Sequence, residues 1–192
     1  MNIEEETYYE GIKRLNSEVG KNIAFIDENT GKNFSYSKIF ELVDKCVSFL
    51  RHNGLKEGEA FQAVLPNSIE MIIFFLAAGR GGFKFAPCSE DATDKEIITY
   101  NKITNSKVVI FSSENNLNNI FSKKINKVEI ELDCDFKWLL NITSHTFEIV
   151  RDGNLYIMTS GTTGTPKAIV LSFNKLWAST ISFNKNYKDI SI

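Results

Sequence analysis

The 192-residue sequence has little of what metal sites and disulfide scaffolds are made from: two histidines and three cysteines. Cys46, Cys88 and Cys134 lie far apart and form no CxxC pair. That excludes a familiar zinc site and argues against a disulfide framework. They are read as small buried hydrophobes in a reducing compartment. Clustered Lys/Arg interleaved with aromatics is absent and the net charge is −2, so no nucleic-acid partner is expected. The longest apolar run, 71–79, is broken by Arg80 and falls far short of the roughly 20 residues that span a bilayer. The first six residues carry Glu4, Glu5 and Glu6, unlike the basic start of a signal peptide. A soluble, cytoplasmic protein is the expectation. Internal repeats, linkers and low-complexity tracts are likewise missing.

What is present is a core. Hydrophobic residues make up 43% and aromatic residues 12% of the chain, enough to fill one ordinary domain. Tyr8, Ile12, Leu15 and Val19 recur at helical spacing up to Gly20. Residues 23–27 and 33–35 read as a hairpin around Asn29-Thr30-Gly31-Lys32. A helix over 36–52 follows, capped by Ser35 or Ser37 and stopped at Asn53-Gly54.

From residue 60 the pattern becomes strand, helix, strand. Residues 60–66 form a strand closed by Pro66, and Asn67 with Glu70 reads as a capping box for a helix over 68–79. Gly81-Gly82 turns the chain into a strand over 83–87. A helix over 94–105, with Ile97, Ile98, Tyr100 and Ile103 as its apolar residues, leads to the unbroken apolar strand 108–111. Such a run suits a central strand covered on both faces. Together these predict an α/β fold, a layered and mainly parallel sheet with flanking helices. Residues 114–145 say least. Within them 128–132 alternates as a half-buried strand, and Glu129, Glu131, Asp133 and Asp135 read as a solvated face and not as a metal site.

The chemistry concentrates near the end, in Tyr156-Ile157-Met158-Thr159-Ser160-Gly161-Thr162-Thr163-Gly164-Thr165-Pro166-Lys167. An apolar strand gives way to glycines, hydroxyls and one cation. Gly161 and Gly164 let backbone N–H groups approach a ligand, and the hydroxyls and Lys167 add donors. Such a set suits a polyphosphate, whose oxygens only accept. It is not a Walker A loop, because Pro166 stands where the second glycine would fall and Ala168 follows the lysine. Residues 168–171 then read as a strand and 173–183 as a helix.

In this order the motif resembles the phosphate-binding signature of the adenylate-forming superfamily: acyl-CoA synthetases, peptide-synthetase adenylation domains and luciferases. The stretch 60–113, with Leu65-Pro66-Asn67-Ser68, is similar to that superfamily's first block, so the resemblance covers most of the chain. It implies the first half of the large N-terminal domain. The implied layout is a helix–hairpin–helix entry over residues 1–58, a sheet unit 59–150 and a phosphate-loop unit 151–192. The implied activity is that of an ATP-dependent acid–thiol ligase. A carboxylic acid is activated by ATP with Mg2+ as an acyl-adenylate, which then passes to coenzyme A or a carrier thiol. Thr159, Ser160, Gly161, Thr162, Thr163, Gly164 and Lys167 are the implied nucleotide-binding residues. Lys167 would position phosphate, and the resemblance assigns no catalytic residue and no metal ligand within this chain.

Two positions depart from the common pattern: Ala168 replaces a glycine, and Phe173 stands where many members have histidine. Phe173 with Trp177 is similar to aryl-acid ligases of the succinylbenzoate type, although their helical spacing is that of plain core residues. The downstream adenine-, ribose- and lysine-bearing motifs of the superfamily are absent. The chain is therefore expected to be inactive alone, with the remainder of the same enzyme as its partner. The alternative is a non-catalytic relative, or half of a split enzyme, that binds nucleotide or another protein.

Overall fold

The structure, a computed structural model, describes residues 6–28, 30–113, 117, 119–122, 124–144, 152–159 and 166–186. Helix α1 (Tyr8–Val19) starts at Thr7, whose hydroxyl accepts from the Glu10 N–H while Glu10 accepts in return from the Thr7 N–H, a complete capping box. Strands β1 (Ile23–Ile26) and β2 (Asn33–Ser35) form a separate antiparallel hairpin. Helix α2 (Tyr36–His52) is capped by Ser35 and buries Ile39, Val43, Cys46, Val47 and Leu50 on one face.

β3 (Ala60–Val64) is buried throughout and leads into α3 (Ile69–Gly81). The cap of α3 differs from the sequence expectation. Ser68, not Asn67, accepts from the Met71 N–H, and Glu70 is buried instead, accepting from the Cys134 N–H at 3.3 Å. Gly82 at φ 67° supplies the left-handed stop. β4 (Lys84–Cys88) follows. Helix α4 (Asp94–Thr104) then opens on a second capping box, Thr93 with Glu96. Of its apolar residues, Ile97 is buried whereas Ile103 is exposed.

β5 (Val108–Ser112), β6 (Asn126–Ile130), β7 (Asn154–Thr159) and β8 (Lys167–Ser172) complete a six-stranded sheet of order β6-β5-β3-β4-β7-β8. Every pairing is parallel except β7 with β8. β6 begins two residues earlier than the alternation at 128–132 predicts, because its ladder with β5 runs from Val108↔Asn126 to Ser112↔Ile130. Helix α5 (Phe173–Asn186) closes the described chain.

The fold is thus the layered, mainly parallel α/β sheet that the sequence predicts. One face is covered by α1, α2, α3 and α5 around Phe61, Phe74, Phe83 and Phe173. The other carries α4, with Ile97, Val109 and Phe111. Residues 131–142 fold back over the first face, where a 3₁₀ turn (Lys137–Leu139) stacks Trp138 on Phe74 with ring centroids 5.1 Å apart. Asp133 pairs with Lys137, and Asp135 pairs with Lys32. Phe173 and Trp177 are core packing: Phe173 is buried against Tyr8 and Phe75, and Trp177 meets Tyr8 edge-on. The start of α1 is tied to α5 by the Tyr8 N–H donating to Asn174 Oδ1 at 2.9 Å.

Candidate functional site

The connections after β3 and β4 leave toward opposite faces, α3 on one and α4 on the other. In open α/β sheets a crevice forms at the carboxyl ends of the strands where this reversal occurs. A cleft of about 320 Å³ lies there. Leu65, Pro66 and Asn67 from the end of β3 and Cys88, Ser89 and Glu90 from the end of β4 line it. A second groove of about 420 Å³, between the β1 turn and the start of α3, shares Asn67 and Met71 with it.

β7 lies beside β4 and runs parallel to it, so its carboxyl end points to the same edge of the sheet. Its pairing with β4 stops at Phe85↔Leu155, and β7 continues four residues further alongside β8 to Thr159. The segment between β7 and β8 carries Ser160, Gly161, Thr162, Thr163 and Gly164, which lie outside the described residues. Its two ends are described. Thr159 and Lys167 are partners across the hairpin, and Thr159 Oγ1 donates to the Lys167 carbonyl at 3.3 Å. Lys167 is exposed. The β7–β8 hairpin thus brings together the first and last of the expected phosphate-binding residues.

The electrostatics of the cleft are uneven. Its lining includes Glu90 and Asp91 but no lysine or arginine. The Cys88 thiol is pushed up to about 11, chiefly by burial, with a hydrogen bond from Gln62 acting the other way. A thiol that scarcely ionises at neutral pH is no nucleophile. Among the described residues no group of three or more His, Cys, Asp or Glu is arranged to hold a metal ion. The cleft residues Asn67 and Ser89 were not singled out as site residues from the sequence. Their signal is positional: each follows a strand closed by proline, Pro66 or Pro87.

The sequence pattern of the AMP-binding enzyme family matches residues 13–191. The chain belongs to that family. It is 29% identical over 170 residues to an oxalate–CoA ligase of Arabidopsis thaliana, covering 81% of this chain and 33% of that protein. It is 25% identical over 187 residues to a long-chain-fatty-acid–CoA ligase of Mycobacterium tuberculosis, covering 86% of this chain and 36% of that protein. A 4-coumarate–CoA ligase of Petroselinum crispum is 28% identical over 176 residues, covering 83% and 31% respectively. The chain spans about a third of the length of these relatives.

Among solved structures, the N-terminal domain of FACL13 from Mycobacterium tuberculosis superposes with a TM-score of 0.75 at 20% identity, covering 88% of this chain and 44% of that one. VinN, in complex with 3-methylaspartate, superposes with a TM-score of 0.80 at 18% identity, covering 95% and 52%. The fold is that of the N-terminal domain of adenylate-forming enzymes. No helix among the described residues is long and apolar enough to cross a membrane.

Proposed function

We propose that this chain is the phosphate-holding portion of a cytoplasmic ligase that activates a carboxylic acid as an acyl-adenylate and passes the acyl group to coenzyme A or a carrier thiol. The observation that carries this reading is the position of the Thr159–Lys167 hairpin mouth at the carboxyl edge of the parallel sheet, beside the cleft between β3 and β4. Family membership and the CoA ligases among the relatives support the reaction class.

ATP, arriving with Mg2+, supplies the activated phosphorus when bound. The residues of this chain position it. Ser160, Thr162 and Thr163 offer hydroxyl donors, Gly161 and Gly164 offer backbone N–H groups, and Thr159 anchors the strand from which they leave. The exposed ammonium of Lys167 fits a polyphosphate by charge, and it offsets the cleft lining, whose only ionisable acid or base side chains besides Cys88 are the carboxylates Glu90 and Asp91. In such a reaction positioning and stabilisation of the departing pyrophosphate charge supply most of the rate.

The layout we assign is an entry segment over residues 1–58, a sheet unit 59–150 and a phosphate-loop unit 151–192. The relatives are about three times as long as the matched region. The second reading is a non-catalytic truncated relative, or half of a split enzyme, that binds nucleotide or another protein without completing the chemistry. Carboxylate-dependent pyrophosphate exchange, screened over aliphatic, aryl and amino acids, tests both. The 192 residues alone are expected to give no exchange. Addition of the portion bearing the downstream motifs should restore it, and exchange by the chain alone would overturn the second reading.

A further inference from the structure

Where α1, α2 and α3 meet, at the opposite end of α3 from the cleft, a crevice of about 140 Å³ has Ile12, Phe40 and Val43 as its apolar wall and Tyr9, Lys13, Asn16, Asp44 and Arg80 as its polar lining. Arg80 sits in the last turn of α3 and is only 6% exposed. Its Nε donates to Asp44 Oδ1 at 2.9 Å, and its guanidinium carbon lies 4.6 Å from the centre of the Tyr9 ring. Nη1 is buried and finds no hydrogen-bond partner among the described residues. A buried charged donor left unpaired is costly. Asp44 fixes the guanidinium through one edge and leaves that donor over. Lys13, exposed on α1, brings a second cation to the rim, and Asn16 brings an amide. With Asp44 as the one carboxylate in the lining, the crevice carries a net positive charge.

We propose that this crevice binds a single tetrahedral oxoanion, inorganic phosphate or its chemical equivalent, held by Arg80 and Lys13. Size selects the class. The volume equals that of four or five waters at about 30 Å³ each, room for one such ion. A nucleotide needs a pocket of at least about 300 Å³. The crevice is roughly 16 Å along α3 from its first turn, so the ion would be separate from the phosphate segment after β7. Bound there, it would pin α1 against α2 and α3.

The test is a titration of the chain with potassium phosphate against potassium chloride at matched ionic strength, followed by melting temperature and by 31P line broadening. Wild type is expected to show a saturable rise in melting temperature that chloride does not reproduce. Lys13→Gln, a change at an exposed position, should weaken the apparent affinity about fivefold, the worth of one partly exposed charge contact. Lys95→Gln, an exposed charge on α4 across the sheet, should leave the titration unchanged. Loss of the effect in Lys167→Ala with retention in Lys13→Gln would place the ion at the β7–β8 segment and overturn the proposal while supporting the proposed function. A rise that does not saturate, or one that Lys13→Gln leaves intact, means that Nη1 takes ordered water and would also overturn it.

Discussion

The indole of Trp177 fills the space that a side chain at Gly11 would need: a Cβ there would stand 2.0 Å from Cζ2 and 2.2 Å from Cε2. Two effects oppose each other in Gly11→Ala. Helix propensity favours alanine by about 1 kcal/mol, and overpacking costs about 1–3 kcal/mol. A net loss of about 1 kcal/mol in urea denaturation is expected. In a Trp177→Leu background the clash is gone, so the same substitution should become neutral or stabilising. A loss that persists there would disprove this packing account.

Gly153 is under a harder constraint. A Cβ on it would lie 2.4 Å from the Ala78 carbonyl oxygen and 3.0 Å from the Gly79 Cα, both backbone atoms of α3. No rotamer change relieves that contact. Gly153→Ala should cost about 3 kcal/mol. It should also raise the hydrogen-exchange rate of the Asn154 N–H, which donates to the Phe83 carbonyl at 2.9 Å where β7 joins β4.

Glu6 gives the chain an acid-sensitive tie. Its carboxylate receives Arg14 through Nε at 2.8 Å and Nη2 at 3.1 Å, and Trp177 Nε1 at 3.2 Å. The Arg14 hydrogen bond, opposed by burial, holds its carboxyl below the ordinary glutamate value. A depressed carboxylate contributes stability that is present above its unfolded pKa of about 4.3 and is lost as pH falls through the lower folded value. Wild type should therefore lose stability below about pH 4.3 more steeply than Glu6→Gln. Parallel curves for the two proteins would rule out this contribution.

All three thiols should react slowly at neutral pH. Cys46 is buried, with its thiol held well above the ordinary range by desolvation, and Cys88 and Cys134 are each pushed up to about 11. Cys134 is only half-buried. Burial again leads the shift at Cys134, followed by the nearby Glu70 and Asp27 charges. Alkylation read by mass spectrometry should modify Cys134 first, at a rate that climbs steadily toward pH 11. Rapid labelling of any of the three at pH 7 would contradict the assignment.

In a polypeptide that carries the family's remaining motifs, Lys167→Ala should slow adenylation by about 10²–10³-fold, by analogy with a lost oxyanion donor. Stability should change by no more than about 0.5 kcal/mol, because the side chain is exposed. Thr163→Val should act in the same direction by removing one hydroxyl. Activity and melting temperature measured on one preparation separate phosphate binding from simple turn shaping. Parallel loss of both would favour turn shaping.

Where local chemistry decides the structure, the sequence could be read. The bounds of α2 follow from Ser35 at one end and Asn53-Gly54 at the other. The unbroken apolar run at β5 marks a strand covered on both sides. The cap of α3 could not be read, because Asn67 and Ser68 are both good caps and Glu70 imitates a capping-box partner for the first. The choice is made by burial, which turns Glu70 toward the Cys134 N–H, a partner 64 residues away. The same holds for Trp138, whose seat on Phe74 and Phe49 comes from distant elements and leaves no periodic trace. At the site, residue types declared a phosphate-binding segment. The antiparallel turn of β8, which sets Lys167 opposite Thr159, rests on cross-strand pairing that no window of sequence displays.

The bond from Tyr8 to Asn174 joins residues 166 positions apart. On a ribosome adding about 5–20 residues per second, roughly ten to thirty seconds pass between the synthesis of the two partners. Through that interval α1 lacks the surface that Phe173, Asn174 and Trp177 provide. Helix α1 is therefore fully seated only after α5 is made, and truncations that remove α5 should leave the Tyr8 face of α1 exposed for chaperones to hold.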